Sequence, residues 1–470
     1  MKRRWTIAVL FKGLIIAGFI PPLAVADLRP YQQDAIGMLK ELVSYRTVKG
    51  SGTVPVLAAY LRREFLAAGF SESDIHIIPM QENTASMVVR YRSVGESDGA
   101  PILLMAHMDI VDAYPSDWEQ DPFTLVERDG YFYGRGVSDN KSGVATLSNT
   151  FIRLKREGFQ PDRDLIIAFT GDEEDEMKNI QELIVRYRDL VNAEFALNAD
   201  AGGGKLDEKG EPYSFVIQAG EKTEMNFDFV VRNRGGHSSE PRKDNAIYEL
   251  ADALQRVREY KFPIKYNDVT LNFFQQAANF RSEEVAGSMR KFAHNPKDLS
   301  AAEELSEHPD LAKLISTTCI PTILEAGHGL SALPQTARAN VNCRVFPGVT
   351  VAEMREKLVG IVNDDRVEIS VIGSPTAGPD LPVLPEVRST VTNVVNSFHP
   401  GIPVITYMAP YATDGRETRS VGIPTYGVAG LFTGIDGNNE HGLNERLEVK
   451  AYLFSLDYWY RLLKAFSGAQ

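Results

Sequence analysis

Residues 101–109 read PILLMAHMD, an apolar run of strand length that ends in His107 and Asp109. A short continuous apolar run suits a strand covered on both faces, and period-two alternation turns His107 and Asp109 to one side. Working outward, residues 86–91 read as a second strand, 142–158 as a helix stopped by Gly158, and 165–170 as another buried strand. Upstream, residues 31–69 carry apolar positions at helical spacing, with Gly69 as a stop. Strands alternating with helices predict an α/β layer architecture.

Further along, residues 226–232 alternate with period two, 245–260 and 351–362 are helical, and 320–325 and 338–346 read as strands. That pattern predicts a second, smaller α+β unit. From 388 the α/β texture returns, with a helix near 388–398, strands near 403–408 and 424–428, and a last helix near 449–466. The smaller unit is therefore expected as an insertion: 27–212 and 376–470 form the first unit, and 213–375 the second. Its polar, helix-prone stretch 261–318 reads as an elaboration of the insertion.

The chain has 470 residues, 43% hydrophobic and 24% charged, the composition of a folded protein of two or three domains. Lys and Arg total 50 against 63 Asp and Glu, which argues against a nucleic-acid partner, whose phosphates need neutralising cations. Lys2, Arg3 and Arg4 precede a mostly apolar stretch to Val25, and Ala24-Val25-Ala26 fits a small-x-small cleavage site. Residues 1–26 are thus expected to be an export signal, sending the mature chain to the periplasm or outside the cell. Lys12 and Pro21-Pro22 interrupt the apolar run, which argues against an uncleaved membrane anchor, and no later apolar run is long enough to span a bilayer, so no stable membrane insertion is expected after cleavage.

The polar chemistry sits where apolar strands end. His107-Met108-Asp109 suits a metal ligand whose second ring nitrogen meets a carboxylate. Asp139 stands in a glycine-rich turn before a helix, and Asp172-Glu173-Glu174 close the strand at 165–170. Asp200 follows the apolar Phe195-Ala196-Leu197, and His441 precedes the last helix. Each alone has a plain structural reading: a satisfied His–Asp pair, a helix cap, a solvated acidic turn. Together, histidines and carboxylates without thiolates fit a hydrolytic zinc pair better than a structural zinc.

With AHMD, WEQDPF, GYFYGRGVSDNKSG, FTGDEE and NEHGLNE in this order, the chain from about residue 31 to its end resembles the M20 metallopeptidases. These are two-zinc aminoacylases, carboxypeptidases, dipeptidases and desuccinylases, and ATDGRETRSVGIPTYGV looks most like the acylase and secreted-carboxypeptidase branch. The resemblance implies a catalytic zinc-peptidase domain with a mixed central sheet flanked by helices, and an inserted α+β lid domain. It implies two zinc ions, one on His107 and Asp200, the other on Glu174 and His441. Asp139 would bridge them, ahead of a cis peptide to Asn140. Asp109 would orient His107, and Glu173 would be the general base. The Asp200 segment, NADAG, departs from the Glu next to an acid that many relatives carry.

In the lid, RGGHSSEP implies that His237 stabilises the tetrahedral intermediate, often in a partner subunit's active site. NCRVFP implies that Arg344 pairs with the substrate's free carboxylate, while Ser331-Ala332-Leu333-Pro334 lacks the Asn many relatives place before that Pro. Asp414 and Arg416 match a further motif near the site, in a supporting role. The implied reaction is hydrolysis of the amide bond to a C-terminal amino acid, by a carboxypeptidase or dipeptidase, with an N-acyl-amino-acid deacylase as the alternative. An inactive peptide-binding relative is the competing class, opposed by the presence of all five ligands and Glu173. The oligomer stays open, because residues 261–318 could support or block the lid-to-lid homodimer common in the family.

Register arithmetic adds one expectation independent of the resemblance. An antiparallel pairing of 320–325 with 338–346 about Ser331 sets Cys319 opposite Cys343, close enough for a disulfide. Two buried free thiols are the alternative, and a one-residue bulge would part them.

Overall fold

A computed structural model of the protein describes residues 28–95, 99–240 and 242–468. The export signal read at 1–26 lies outside the described residues.

The run at 101–109 forms the strand Ile102–His107 near the middle of a ten-stranded mixed sheet. It pairs in parallel with Leu165–Thr170 on one side and Phe195–Asn198 on the other. Alternation along these strands feeds two cores. Ile102, Leu104 and Ala106, with Leu165, Ile167 and Phe169, face a large core shared with the helices Pro30–Ser44, Val54–Ala67, Lys141–Arg156 and Val449–Ser467. Leu103 and Met105, with Ile166 and Ala168, face a smaller one under the helix Lys178–Arg186. Both faces are covered, which is why these strands read as unbroken apolar runs.

A second sheet of four antiparallel strands has the order Thr318–Ala326, Thr336–Val345, Thr223–Arg232, Val367–Ile372. Alternate residues Phe227, Phe229 and Val231, with Ala339 and Val341, pack against the helices Ala246–Glu259 and Val351–Val362. Cys319 lies directly opposite Cys343 and is bonded to it. A bulge between Pro321 and Ile323 shifts the register by one, but beyond the cysteines, so the expected alignment survives where it matters.

Two expectations need correction. The strand Pro212–Glu221 belongs to the ten-stranded sheet, where it pairs in parallel with Val404–Ala409 and buries Phe215 and Ile217 in the large core. The first unit therefore extends past 212 to about 221. Nor is 261–318 an elaboration of the insertion alone. Its helices enclose a core of their own around Phe274, Met289, Phe292 and Leu305. The helix Asp268–Ala277 rests on the large-sheet strand Val404–Ala409, with Phe273 and Tyr407 ring centroids 5.5 Å apart and Val269 buried in the large core. Among the described residues no helix is long and apolar enough to cross a membrane.

Candidate metal centre

Three neighbouring parallel strands end side by side: His107 closes the first, Glu173 and Glu174 follow the second, and Asp200 follows the third. The carboxyl ends of parallel strands are where open α/β sheets bind ligands. Two loops complete the cluster. One carries Asp139 just before the helix Lys141–Arg156, with the Asp139–Asn140 peptide cis. The other carries His441.

Asp139 lies between the two histidines. Its Oδ1 is 2.9 Å from His107 Nε2 and its Oδ2 is 2.9 Å from His441 Nε2. Asp200 Oδ1 stands 3.4 Å from His107 Nε2, and Glu174 Oε2 3.0 Å from His441 Nε2. The cluster thus divides into His107 with Asp200 and His441 with Glu174, each sharing one oxygen of Asp139. Ligand atoms of His107, Asp139 and Glu174 lie within 4.8 Å of one another, as do those of His107, Glu173 and Asp200. Glu174 Oε1 is buried without a hydrogen-bond partner, an orphaned lone pair that a cation would satisfy. Two cations with histidine and carboxylate ligands fit this donor set.

Asp109 acts through its neighbours. His107 Nδ1 is 3.1 Å from the Asp109 carbonyl oxygen and 3.4 Å from its carboxylate, so the nearer partner is backbone. The carboxylate accepts the Glu174 N–H at 3.0 Å and so ties the two ligand loops together.

Charge sets the proton affinities. Burial alone would lower the His107 pKa, but the Asp200 charge and hydrogen bonds to Asp109 and Asp139 outweigh it and hold it well above the usual value. Hydrogen bonds to Asp139 and Glu174 lift His441 to about 10. Burial works to raise Asp139, yet the two histidines hold it below the usual carboxylate range. Glu173 is raised well above that range, by burial first and the Asp200 charge second.

Sequence reasoning passed over the residues that hold these ligands. Glu445 is fully buried, and its carboxylate accepts the backbone N–H groups of Gly136 (2.9 Å), Ser138 (2.8 Å) and Asp139 (3.0 Å) and the Arg135 guanidinium (2.8 Å). Its place four residues after His441 was the available signal. Glu221 binds the Thr413 N–H and hydroxyl, Asn198 donates to that hydroxyl at 3.3 Å, and the Asn198 side-chain oxygen accepts the Asp200 N–H at 3.1 Å. Asp414 is buried against the Thr170 hydroxyl, on the strand that leads to Glu173, and Arg416 pairs with Glu417. Supporting roles for both fit this placement.

The inserted-unit residues are elsewhere. His237 is exposed in a short pairing of Gly236–His237 with Ala332–Leu333, and its Nδ1 meets the Ser239 hydroxyl at 2.7 Å. Arg344 lies opposite Glu224 in the four-stranded sheet, 3.0 Å from its carboxylate. Neither lines the adjoining cavity, a space of about 400 Å³ whose walls include Asp139, Glu174, Asp200 and His441, with Glu173, Glu440, Tyr411, Leu431 and Thr433. Larger cavities of about 640 and 1260 Å³ have no histidine in their walls.

Residues 103–465 match peptidase family M20/M25/M40. The chain is 30% identical over 384 residues to the N-fatty-acyl-amino acid synthase/hydrolase PM20D1 of Homo sapiens, covering 77% of this chain and 74% of that one. It is 28% identical over 392 residues to the probable carboxypeptidase S-like 2 of Dictyostelium discoideum, covering 81% and 74%. Among solved structures, the M20 family metallo-carboxypeptidase Sso-CP2 of Sulfolobus solfataricus superposes with a TM-score of 0.69 at 19% identity, over 92% of this chain and 99% of that one. That likeness shows the fold.

Proposed function

The chain belongs to peptidase family M20/M25/M40, a metallopeptidase/amidohydrolase family, and we propose that it hydrolyses the amide bond joining an acyl or aminoacyl group to an amino acid with a free carboxylate. The observation that carries this reading is Asp139 offering one oxygen to each histidine, with a Glu173 carboxylate oxygen within 4.8 Å of the ligand atoms of His107 and Asp200. His107 and Asp200 would hold one zinc, His441 and Glu174 the other, and Asp139 both. The bound ions would supply Lewis acidity and lower the pKa of water. Glu173 takes the proton of the attacking water and delivers it to the leaving amine. Asp109 keeps His107 and the Glu174 loop in register.

The acyl half of the substrate separates two readings. A carboxypeptidase or dipeptidase would take an aminoacyl group there. An N-acyl-amino-acid hydrolase would take a plain acyl chain, and the 30% identity to a protein of that name favours it. A screen of dipeptides against N-acyl amino acids, on protein with zinc restored and its metal content measured, decides between them. Turnover of neither class would remove the proposal. Export belongs to the same reading, supported by a disulfide of the kind that persists in oxidising compartments. So does a homodimer, in which His237, absent from the wall of its own cavity, would act on the partner's site. Light scattering on the purified chain tests it.

A further inference from the structure

Five carboxylates line the cavity beside the metal ligands: Asp139, Glu173, Glu174, Asp200 and Glu440. Four of them are used by the reaction already derived. Asp139, Glu174 and Asp200 would hold the ions and Glu173 carries the proton, and two divalent ions balance the charge of those four. Glu440 is the fifth. It belongs to neither group of potential metal ligands, and no step of the proton transfer needs it.

Its carboxylate is fixed close to the chemistry. Glu440 immediately precedes the ligand His441, and Ser138 immediately precedes the bridging Asp139. The buried Asn438 amide donates to the Ser138 hydroxyl at 3.0 Å, and that hydroxyl donates to Glu440 Oε1 at 2.8 Å. The carboxylate is thereby tied to the turn that carries one ligand as well as to the loop that carries another. An amide oxygen would accept the Ser138 hydroxyl as readily, so this bond does not call for a charge. Nor does a protein cation answer the charge. Among the described residues no Lys or Arg lines the cavity and none forms an ion pair with Glu440; the Lys205 charge reaches it only from beyond that distance. An unanswered anion in a concave site draws in a cation.

The acyl half of the substrate can supply one. An aminoacyl group carries its α-ammonium one carbon from the scissile carbonyl, which must sit at the metal ligands that Glu440 and Ser138 adjoin. A plain acyl group carries no charge there. We infer that Glu440 is a specificity-determining residue that pairs with the α-ammonium of an aminoacyl group, which makes the preferred substrate a dipeptide with both ends free. The inference rests on the amide-hydrolase reading above, and it selects the aminoacyl substrate over the acyl chain that sequence identity favours.

The test uses full-length protein with zinc restored and matched pairs of substrates: alanyl-amino acids beside propionyl-amino acids with the same leaving residue, which differ only in the ammonium. Wild type is expected to prefer the alanyl member of each pair. Glu440→Gln keeps the size of the side chain and an acceptor for Ser138 but removes the charge; zinc content and circular dichroism check its integrity. Loss of a charge-assisted hydrogen bond predicts a KM for the alanyl substrate ~10- to 100-fold higher in Glu440→Gln, with kcat little changed, so that the alanyl-to-propionyl ratio of kcat/KM falls by the same factor. Wild type that turns over the propionyl member at least as well overturns the inference, whatever the variant does, and leaves the hydrolase reading standing. An equal loss on both members in Glu440→Gln also overturns it, since that is the mark of a residue that only holds the ligand loops. Wild type that turns over neither member of any pair removes both.

Discussion

Glu173→Gln is expected to abolish turnover and leave the metals in place, because it removes a base and keeps the size of the side chain. The rate should fall by at least ~10². His107→Ala and His441→Ala should instead lose metal, and equal zinc in those variants and wild type would sink the ligand assignment. Glu445 predicts a different phenotype. Glu445→Ala strands three buried N–H groups and Arg135, a loss of about 3–5 kcal/mol, and frees the turn that aims Asp139. Both a lower unfolding midpoint in chelator and weaker zinc retention should follow; a wild-type midpoint would contradict it. The candidate ligands were legible as a set, because several separated polar signals stand at strand ends and in short motifs in the order of a known family, although each alone has a plain structural reading. Glu221 was not, because its partner Thr413 comes from a distant loop, and Glu445, though it closes the NEHGLNE motif, makes its contacts to the 135–139 turn, which the sequence alone does not bring to it.

At the scale of elements, period decided most of what could be read. The run at 165–170 and the helix Val351–Val362 match their expected bounds, because continuous apolar content and 3.6-residue spacing are local properties. The strand Pro212–Glu221 was misplaced because its partners are not visible in its own sequence: it pairs with Val404–Ala409, nearly two hundred residues on, and with the short, glycine-rich strand Gly203–Leu206, which has no clear strand pattern. The cysteine pair shows the same limit from the favourable side, since the bulge that could have parted Cys319 from Cys343 fell two residues further along. The bond closes a loop of sequence separation 24, which on a chain-entropy account is worth about 3 kcal/mol against unfolding. Reduction should therefore lower the unfolding midpoint, and thiol labelling of denatured, unreduced protein should find no free cysteine. Two labelled cysteines per chain would refute the bridge.

For the whole molecule, the junction between the two sheets turns on Lys222. It links Pro212–Glu221 in the large sheet to Thr223–Arg232 in the small one, and its side chain is fully buried. Its ammonium donates to the carbonyl of Ser316, at the end of the 261–318 helices, so one residue joins all three parts of the fold. Burial, with the Arg344 and Lys313 charges nearby, lowers its pKa to about 7. The sign follows from linkage. The unfolded lysine titrates near 10.5 and so holds more protons than the folded one between about pH 7 and 10; stability therefore rises with pH across that window. At about 1.4 kcal/mol per unit, the gain from pH 7 to 9 should be roughly 2–3 kcal/mol. Lys222→Met, apolar and of similar length, should lose this slope, so its stability relative to wild type is greatest near pH 7 and shrinks toward pH 9. Chemical denaturation of both proteins at pH 7, 8 and 9 measures it, and parallel pH profiles would show that the junction does not hold a lysine of lowered pKa.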